Sequence, residues 1–539
     1  MAEAAIAWNG LTVRYPYQPQ DAVGPVSLRL EVGERLLVLG PSGCGKSTLL
    51  ATVTGLLPGV IPADVEGDVT TLGRPADALA PAQWAPHVAQ LFQDADQTLC
   101  GMSVENEIAF ALENQALPEA DILERVARAM EQAGLPVAWR SRRTATLSGG
   151  EKQLVAFAAA LAQDAAIFIA DEPTAHLSPQ AASRLHALLG EDARSVLLVD
   201  HRLDGLIGSV DRVAVIGPDG TLIAEGAPRD LFRAHGDKLA ALGIWRPLAC
   251  DLDSELIHAG IVLPVPPLWM REAVDQFPDD RRGEVMTVVR PFVDSRIATA
   301  NSIGPVVAGL KNAACAPLFA KPVLHDVTLE IAAGETVAIL GQNGAGKSTL
   351  GASLAGLLRL KSGTRSGAPG GIAFQRPENQ FTAGTVLAEI ESALNLDRKA
   401  RAMDILAEWG LAALAQRHPF ELSQGQKRRL ALATLTADDR WPLLVLDEPT
   451  AGLDAAGAAR IAGEIARLGR TGRALAVITH DLDFALATCT RGIVLADGRI
   501  IADRPLIDIA RDDALLARAG LGAAGIAPLL DWLDGQSTC

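Results

Sequence analysis

Short, largely apolar runs recur along this chain between longer segments of helical spacing. Arg35 to Leu39 and Thr336 to Leu340 read as buried strands, as do Ala166 to Ala170, Val196 to Val199 and Leu443 to Leu446. Runs of this length, bounded by glycine or polar residues, are too short for helices and too apolar for loops. Helical spacing covers Ser47 to Thr54, Ser348 to Ala355, Ser103 to Leu117, Glu119 to Ala133 and Lys152 to Ala162, with Ser103 as an N-cap and Gly134 as a stop. Ile6 to Leu30 is strand-like, with Pro16, Pro19 and Pro25 as breakers. Strand and helix alternate, which predicts an α/β fold.

The pattern also repeats. At 539 residues the chain exceeds what one hydrophobic core serves, so two or more domains are expected. Between the first apolar run and its helix stands Gly40-Pro41-Ser42-Gly43-Cys44-Gly45-Lys46-Ser47-Thr48, and in the same place after Leu340 stands Gly341-Gln342-Asn343-Gly344-Ala345-Gly346-Lys347-Ser348-Thr349. Both fit G-x-x-x-x-G-K-[ST] in the strand-to-helix context that this phosphate loop requires. Its glycines let successive backbone N–H groups converge on phosphate oxygens, and the helix N-terminus adds roughly half a unit of positive charge. Lys46 and Lys347 are then expected to reach the β- and γ-phosphates, and Ser47 and Ser348 to ligate magnesium. A Gly-rich turn with a surface lysine explains one such stretch, but not two in register.

Further parts return in the same order. Leu91-Phe92-Gln93-Asp94-Ala95-Asp96-Gln97, Leu147-Ser148-Gly149-Gly150-Glu151, Asp171-Glu172-Pro173-Thr174 and Asp200-His201 are matched by Phe374-Gln375-Arg376-Pro377-Glu378-Asn379-Gln380, Leu422-Ser423-Gln424-Gly425-Gln426, Asp447-Glu448-Pro449-Thr450 and Thr479-His480. The offset between copies is 301 at Lys46 and Lys347 but 275 at Ser148 and Ser423, so the second copy is shorter between loop and serine, by a hairpin or similar insertion. Residues 1–245 and 284–539 are expected to be the two repeats, the second with a C-terminal helical tail. Residues 246–283, carrying Pro264, Pro266 and Pro267, read as a connector.

Composition narrows the chemistry. A net charge of −16 argues against a nucleic-acid partner, which needs clustered Lys and Arg. The six cysteines are scattered without metal-like spacing and read as reduced thiols of a cytosolic protein. No basic, apolar leader follows Met1, and no run approaches the roughly 18 to 20 apolar residues of a membrane span.

With these parts in both copies, the chain resembles the ATP-binding cassette (ABC) ATPases over almost its entire length. The resemblance implies a P-loop NTPase made of two tandem ABC ATPase cassettes, each with a helical signature subdomain, that binds ATP and Mg2+. By it, Asp171 and Asp447 hold the magnesium, with Ser47 and Gln93 in one copy and Ser348 and Gln375 in the other. Glu172 and Glu448 polarise the attacking water, His201 and His480 contact the γ-phosphate, and Gln93 and Gln375 also sense a membrane partner. A carboxylate one residue beyond the metal ligand, at a strand's carboxyl end, is where in-line attack needs a base.

In this family two cassettes pair head to tail, here within one chain. One nucleotide then joins Lys46 to the signature Ser423-Gln424-Gly425, and the other joins Lys347 to Ser148-Gly149-Gly150. Fusion raises the effective concentration of such a pairing to about the millimolar range. Tyr15 is placed either to stack on an adenine ring or to pack in a small sheet, and Phe319 is a weak counterpart in the second copy. After Asp454 in Ala451-Gly452-Leu453-Asp454, the family's usual aspartate, the first copy's Ala175-His176-Leu177-Ser178 is a departure. Ser178 either weakens the site built on Lys347 or makes an adequate hydrogen bond.

Phe374 to Phe381, written F-Q-R-P-E-N-Q-F, and the tails Gly226 to Gly243 and Arg504 to Gly520 resemble the ATPases of energy-coupling factor importers for vitamins and transition-metal ions. This implies multispanning membrane subunits as partners, at the cytoplasmic face of the cell membrane, with Asp94, Asp96 and Glu378 as acids for a partner's arginines. The alternatives are a fused ATPase of another ABC importer, such as one for peptides, and a soluble translation or DNA-repair cassette protein. The latter needs a basic surface or a long charged coiled coil.

Overall fold

The computed structural model describes residues 4–18, 20–174, 177, 179–191, 194–200, 203, 205–395 and 400–537. The chain forms two compact units, Met1–Phe277 and Pro278–Cys539. In the first unit the strands are β1 (Ala4–Arg14), β2 (Val23–Glu31), β3 (Arg35–Leu39), β4 (Asp64–Thr71), β5 (Arg74–Pro75), β6 (Val88–Leu91), β7 (Ile167–Asp171), β8 (Ser195–Val199), β9 (Arg212–Ile216) and β10 (Leu222–Gly226). An antiparallel sheet runs β2-β1-β4-β5, and the main sheet runs β10-β9-β3-β8-β7-β6. β6, β7, β8, β3 and β9 pair in parallel, and β10 closes the edge antiparallel to β9. These five strands are covered on both faces, which is why they appear in the sequence as unbroken apolar runs.

The second unit repeats the plan with β11 (Val306–Cys315), β12 (Leu324–Ala332), β13 (Thr336–Leu340), β14 (Ser362–Gly367), β15 (Gly371–Ala373), β16 (Leu443–Asp447), β17 (Ala474–Ile478), β18 (Arg491–Ala496) and β19 (Arg499–Pro505). Its main sheet, β15-β16-β17-β13-β18-β19, has the order of the first. Among the described residues the small sheet has three strands, β12-β11-β14, with no counterpart of β5. That hairpin, with the short helix Pro81–Trp84 that follows it, accounts for most of the length difference read from the sequence. The rest falls between sheet and signature, where Val104–Asn114 and Glu119–Ala133 face the shorter Val386–Ala393 and Ala402–Glu408.

Local signals set the helix ends. Ser103 caps Val104–Asn114 by accepting from the Asn106 amide, and Gly134 ends Glu119–Ala133 in the left-handed conformation at φ 73°. The segment read as a connector carries helices Leu248–His258 and Met270–Val274. Arg233 holds the buried Asp253 through two bonds of 2.9 and 2.8 Å, and Arg229 pairs with Glu272 at 2.8 Å, so residues up to 277 pack onto the first unit.

Candidate nucleotide site

In each unit the carboxyl edge of the parallel sheet gathers the residues that the sequence singles out. β3 ends at the first phosphate loop, β6 precedes Gln93, β7 ends on Asp171 and β8 precedes Asp200. β13, β15, β16 and β17 do the same for the second loop, Gln375, Asp447 and Thr479. The carboxyl edge of such a sheet is where open α/β folds bind ligands.

Both loops need glycine, for two different reasons. Gly43 and Gly45 have φ of 82° and 92°, and Gly344 and Gly346 have 83° and 94°, a region that L side chains avoid. A Cβ on Gly45 would lie 2.0 Å from the Ala22 carbonyl oxygen, and one on Gly346 would lie 2.9 Å from Leu324, so the fold itself closes these positions. A Cβ on Gly43 or Gly344 would meet nothing within 4 Å. Here the backbone borders open space, where a nest of amides can close on an anion. Lys46 and Lys347 are both buried and curl back over their loops. Lys46 Nζ donates to the carbonyls of Gly40 and Pro41, each at 2.9 Å, and Lys347 Nζ to Gly341 at 2.7 Å and Gln342 at 3.1 Å. Burial pushes the Lys347 pKa down, against the opposing pull of Glu448 and Asp447.

Asp171 and Asp447, the last residues of their strands, are buried, and each precedes a glutamate with φ 47°. A non-glycine residue there costs about 1–3 kcal/mol and persists only when its surroundings hold it. The Glu172 amide donates to the Val199 carbonyl at 2.7 Å and the Glu448 amide to Ile478 at 2.9 Å. Burial raises the Asp447 pKa to about 6, although a hydrogen bond with Ser348 lowers it. Serine and aspartate thus touch in the second unit, giving two hard oxygen donors beside a glycine cradle, a set that fits Mg2+ arriving with a nucleotide. Among the described residues no three His, Cys, Asp or Glu side chains would hold a metal alone.

Each glutamate carboxylate meets a polar neighbour among the described residues. Gln93 Nε2 donates to Glu172 Oε2 at 2.8 Å, whereas Glu448 Oε1 lies 2.7 Å from His480 Nδ1. His201 and Ser178 lie outside the described residues. Asp454 caps the helix Ala455–Arg470 by accepting from the Gly457 amide at 2.8 Å. Ser148 and Ser423 are N-caps of Gly149–Ala162 and Gln424–Thr436, each in a reciprocal capping box, with Glu151 and Gln426 respectively. The signature helices therefore start directly after the serine, and the first, at Gly149, starts three residues earlier than periodicity alone predicts.

Several placements modify the sequence reading. Asp96 and Glu378 are not open acids: Asp96 pairs with Lys152, and Glu378 pairs with Lys427 at 2.8 Å and accepts from Gln424 at 3.2 Å. Each pair joins the glutamine loop to the signature helix of its own copy, and a partner's arginine would have to share these carboxylates or displace the lysines. Tyr15 is half-buried against the core, with its hydroxyl 3.1 Å from Thr48 Oγ1. The exposed aromatic of that turn is Tyr17, at φ 63°. Phe319 takes the same place in the second copy, at φ 60° and 95% exposed, and the two turns close alike through Gln18 N to Tyr15 O and Ala320 N to Pro317 O. Only backbone conformation could reveal that equivalence. The buried Thr174 hydroxyl lies 3.0 and 2.8 Å from the two oxygens of Asp200, a contact between residues 26 apart.

Known proteins are similar to this chain in sequence. The family model for ABC transporters matches residues 23–175 and 324–451, once in each unit. The chain belongs to the ABC transporter family. A Bacillus subtilis (strain 168) protein provisionally named HMP/thiamine import ATP-binding protein YkoD is 32% identical over 552 residues, covering 98% of this chain and 96% of that protein. A provisional ABC transporter ATP-binding protein of Streptomyces coelicolor, SCO2324, is 32% identical over 544 residues and covers 94% of each chain. The solved structure of cbiO1 from Clostridium perfringens, described as part of the ABC transporter complex cbiONQ, is 27% identical at a TM-score of 0.38, over 45% of this chain and 95% of that one. The chain is thus the ATP-binding subunit of an ABC transporter, with two tandem ATPase cassettes whose hydrolysis of ATP is coupled to transport. Among the described residues no helix is long and apolar enough to cross a membrane.

Proposed function

We propose that this ABC subunit hydrolyses MgATP to drive an importer of the energy-coupling factor type, for a vitamin or a transition-metal ion. The carrying observation for the chemistry is the repeated Asp–Glu step at the ends of β7 and β16, with both glutamates held at φ 47°. In this reading Lys46 and Lys347 release their loop carbonyls to meet the β- and γ-phosphates. Ser47, Asp171 and Gln93, and Ser348, Asp447 and Gln375, are the magnesium side of each site. Bound Mg2+ would neutralise charge developing on the phosphoryl oxygens. Glu172 and Glu448 then draw the proton from the attacking water, oriented by Gln93 and by His480. Tyr17 and Phe319, exposed in equivalent turns despite the cost of their backbone conformation, are the aromatic faces available to the base.

The importer type is supported by the F-Q-R-P-E-N-Q-F stretch and by the thiamine-import name of a relative that matches nearly end to end. The subunit is then peripheral, on the cytoplasmic side, bound to multispanning partners. The variant with both Glu172→Gln and Glu448→Gln is expected to retain ATP binding and lose phosphate release, and turnover at the wild-type rate in it refutes the catalytic assignment. Affinity capture of the full chain from membranes is expected to bring down a multispanning protein. Capture of ribosomes or DNA instead refutes the transport partner.

A further inference from the structure

The signature helix of the second cassette carries Arg428, five residues after Ser423, and this side chain is 8% exposed. Its guanidinium donates to three backbone carbonyls from three separate motifs. Nη1 reaches Glu448 at 2.7 Å, Nε reaches Ala451 at 2.9 Å and Nη2 reaches Gln375 at 3.2 Å. A planar fork of fixed donors suits such a span, which a lysine's single ammonium cannot make. The Glu448 peptide, strained at φ 47°, is thereby pinned on both sides: its amide to Ile478 and its carbonyl to Arg428. Burying the guanidinium disfavours its charge and pushes its pKa down, against the smaller opposing pull of Glu448, Glu378 and Asp447.

Among the described residues the first cassette shows no such tie. Five residues after Ser148 stands Gln153, wholly buried, and neither its Nε2 nor its Oε1 has a hydrogen-bond partner among the described residues. A glutamine is shorter and forks at one amide, so it cannot bridge three carbonyls. The same helix in the two copies is therefore joined differently to the glutamate and glutamine turns.

We infer that Arg428 is a positioning residue that locks the signature helix of the second cassette to the backbone of Glu448 and to the Gln375 turn, and that the first cassette, with Gln153 in that place, leaves this coupling loose. The inference rests on the reading of Glu448 and Gln375 as parts of the hydrolytic site. A displacement of the second signature helix would then be passed to Glu448 directly, while in the first copy helix and glutamate move with less dependence on each other.

The test uses the full chain with Arg428→Gln, which installs the first copy's residue, and Arg428→Lys, which keeps the charge but not the span. For Arg428→Gln, kcat for ATP is expected to fall by up to about half, the share of one centre, with KM within twofold of wild type. Amide exchange over residues 375–380 and 448–453 is expected to rise about tenfold while residues 93–98 and β16 keep their protection. Arg428→Lys should fall between, and supplies the exchange data if the glutamine variant does not fold. Unchanged exchange at both segments, a rise in KM that accounts for the whole loss, or faster exchange throughout β16 and β17 would each overturn the inference. Glu448→Gln, measured alongside, separates the two readings: its loss of turnover beside an unaffected Arg428→Gln removes the positioning role only, and its full activity removes the catalytic reading.

Discussion

The two glycines of the first phosphate loop give the most discriminating prediction, because the structure assigns them different reasons for being glycine. In Gly43→Ala the new methyl meets no atom within 4 Å, so folding bears only the left-handed backbone at φ 82°. That cost is about 1–2 kcal/mol. In Gly45→Ala the same backbone cost is joined by a contact of 2.0 Å with the Ala22 carbonyl oxygen and 2.7 Å with Val23 Cγ2. Real carbon atoms do not approach that closely, so β2 or the loop must shift, and overpacking of this kind adds about 1–3 kcal/mol. At about 2–4 °C per kcal/mol for a unit of this size, the unfolding midpoint of the first cassette should drop by about 2–8 °C in Gly43→Ala and about 4–20 °C in Gly45→Ala. Ligand binding should reverse that order of interest: Gly43→Ala folds well but places a methyl where phosphate oxygens would sit. Isothermal titration with MgATP on the folded Gly43→Ala chain is expected to show one tight site in place of two, the other weakened at least about tenfold, or 1.4 kcal/mol. Two intact tight sites, or a midpoint for Gly43→Ala below that of Gly45→Ala, would refute the assignment of Gly43 to the ligand and Gly45 to the fold.

Thr174→Val removes the hydroxyl that serves the buried Asp200 carboxylate, and should lower stability in urea by about 1.5–3 kcal/mol, the range for a buried hydrogen bond to a charged group. Tyr17→Gly relieves the φ 63° backbone of an exposed residue, so thermal stability should hold or rise by up to about 1 kcal/mol while ATP affinity at that cassette falls; a loss of stability with unchanged affinity would mean the ring serves the fold. Maleimide labelling followed by peptide mapping should modify exposed Cys100 within minutes and spare Cys44, Cys250, Cys315 and Cys489 until the chain unfolds, because all four are buried and burial pushes their thiols up, Cys489 to about 12.

What was legible in the sequence was whatever is local. Arg35–Leu39 and Thr336–Leu340 are strands to the residue, Glu119–Ala133 is the helix its spacing and Gly134 predict, and the shared carboxyl edge follows once each motif is placed after its strand. What was not legible depends on contacts between distant segments. Lys152 lies 56 residues from Asp96, and Lys427 lies 49 from Glu378, so neither ion pair has a sequence signal, and the acids looked open to a partner. Backbone strain is invisible too, since a positive φ at Tyr17, Phe319, Glu172 or Glu448 has no glycine to announce it. The capping boxes at the signature serines do have a local signal, since Glu151 and Gln426 stand three residues on, the spacing that such boxes use.

Comparison of the two copies separates what the chemistry requires from what can vary. Both keep a lysine folded over its loop, an aspartate at a buried strand end, and a glutamate whose amide is held by the neighbouring strand at φ 47°. The acid–lysine pair between glutamine loop and signature helix also persists, although the acid is Asp96 in one copy and Glu378 in the other, so the pairing is kept where the residue is not. The copies differ in residue type at two equivalent positions: Gln153 stands where the second copy has Arg428, which holds the Glu448 carbonyl, and Asp200 stands at the end of the next strand where the second copy has Thr479. The strained glutamate backbone is common to both copies while the residue five positions after the signature serine is not, so the conformation at φ 47° does not require the Arg428 fork, which ties helix to turn instead.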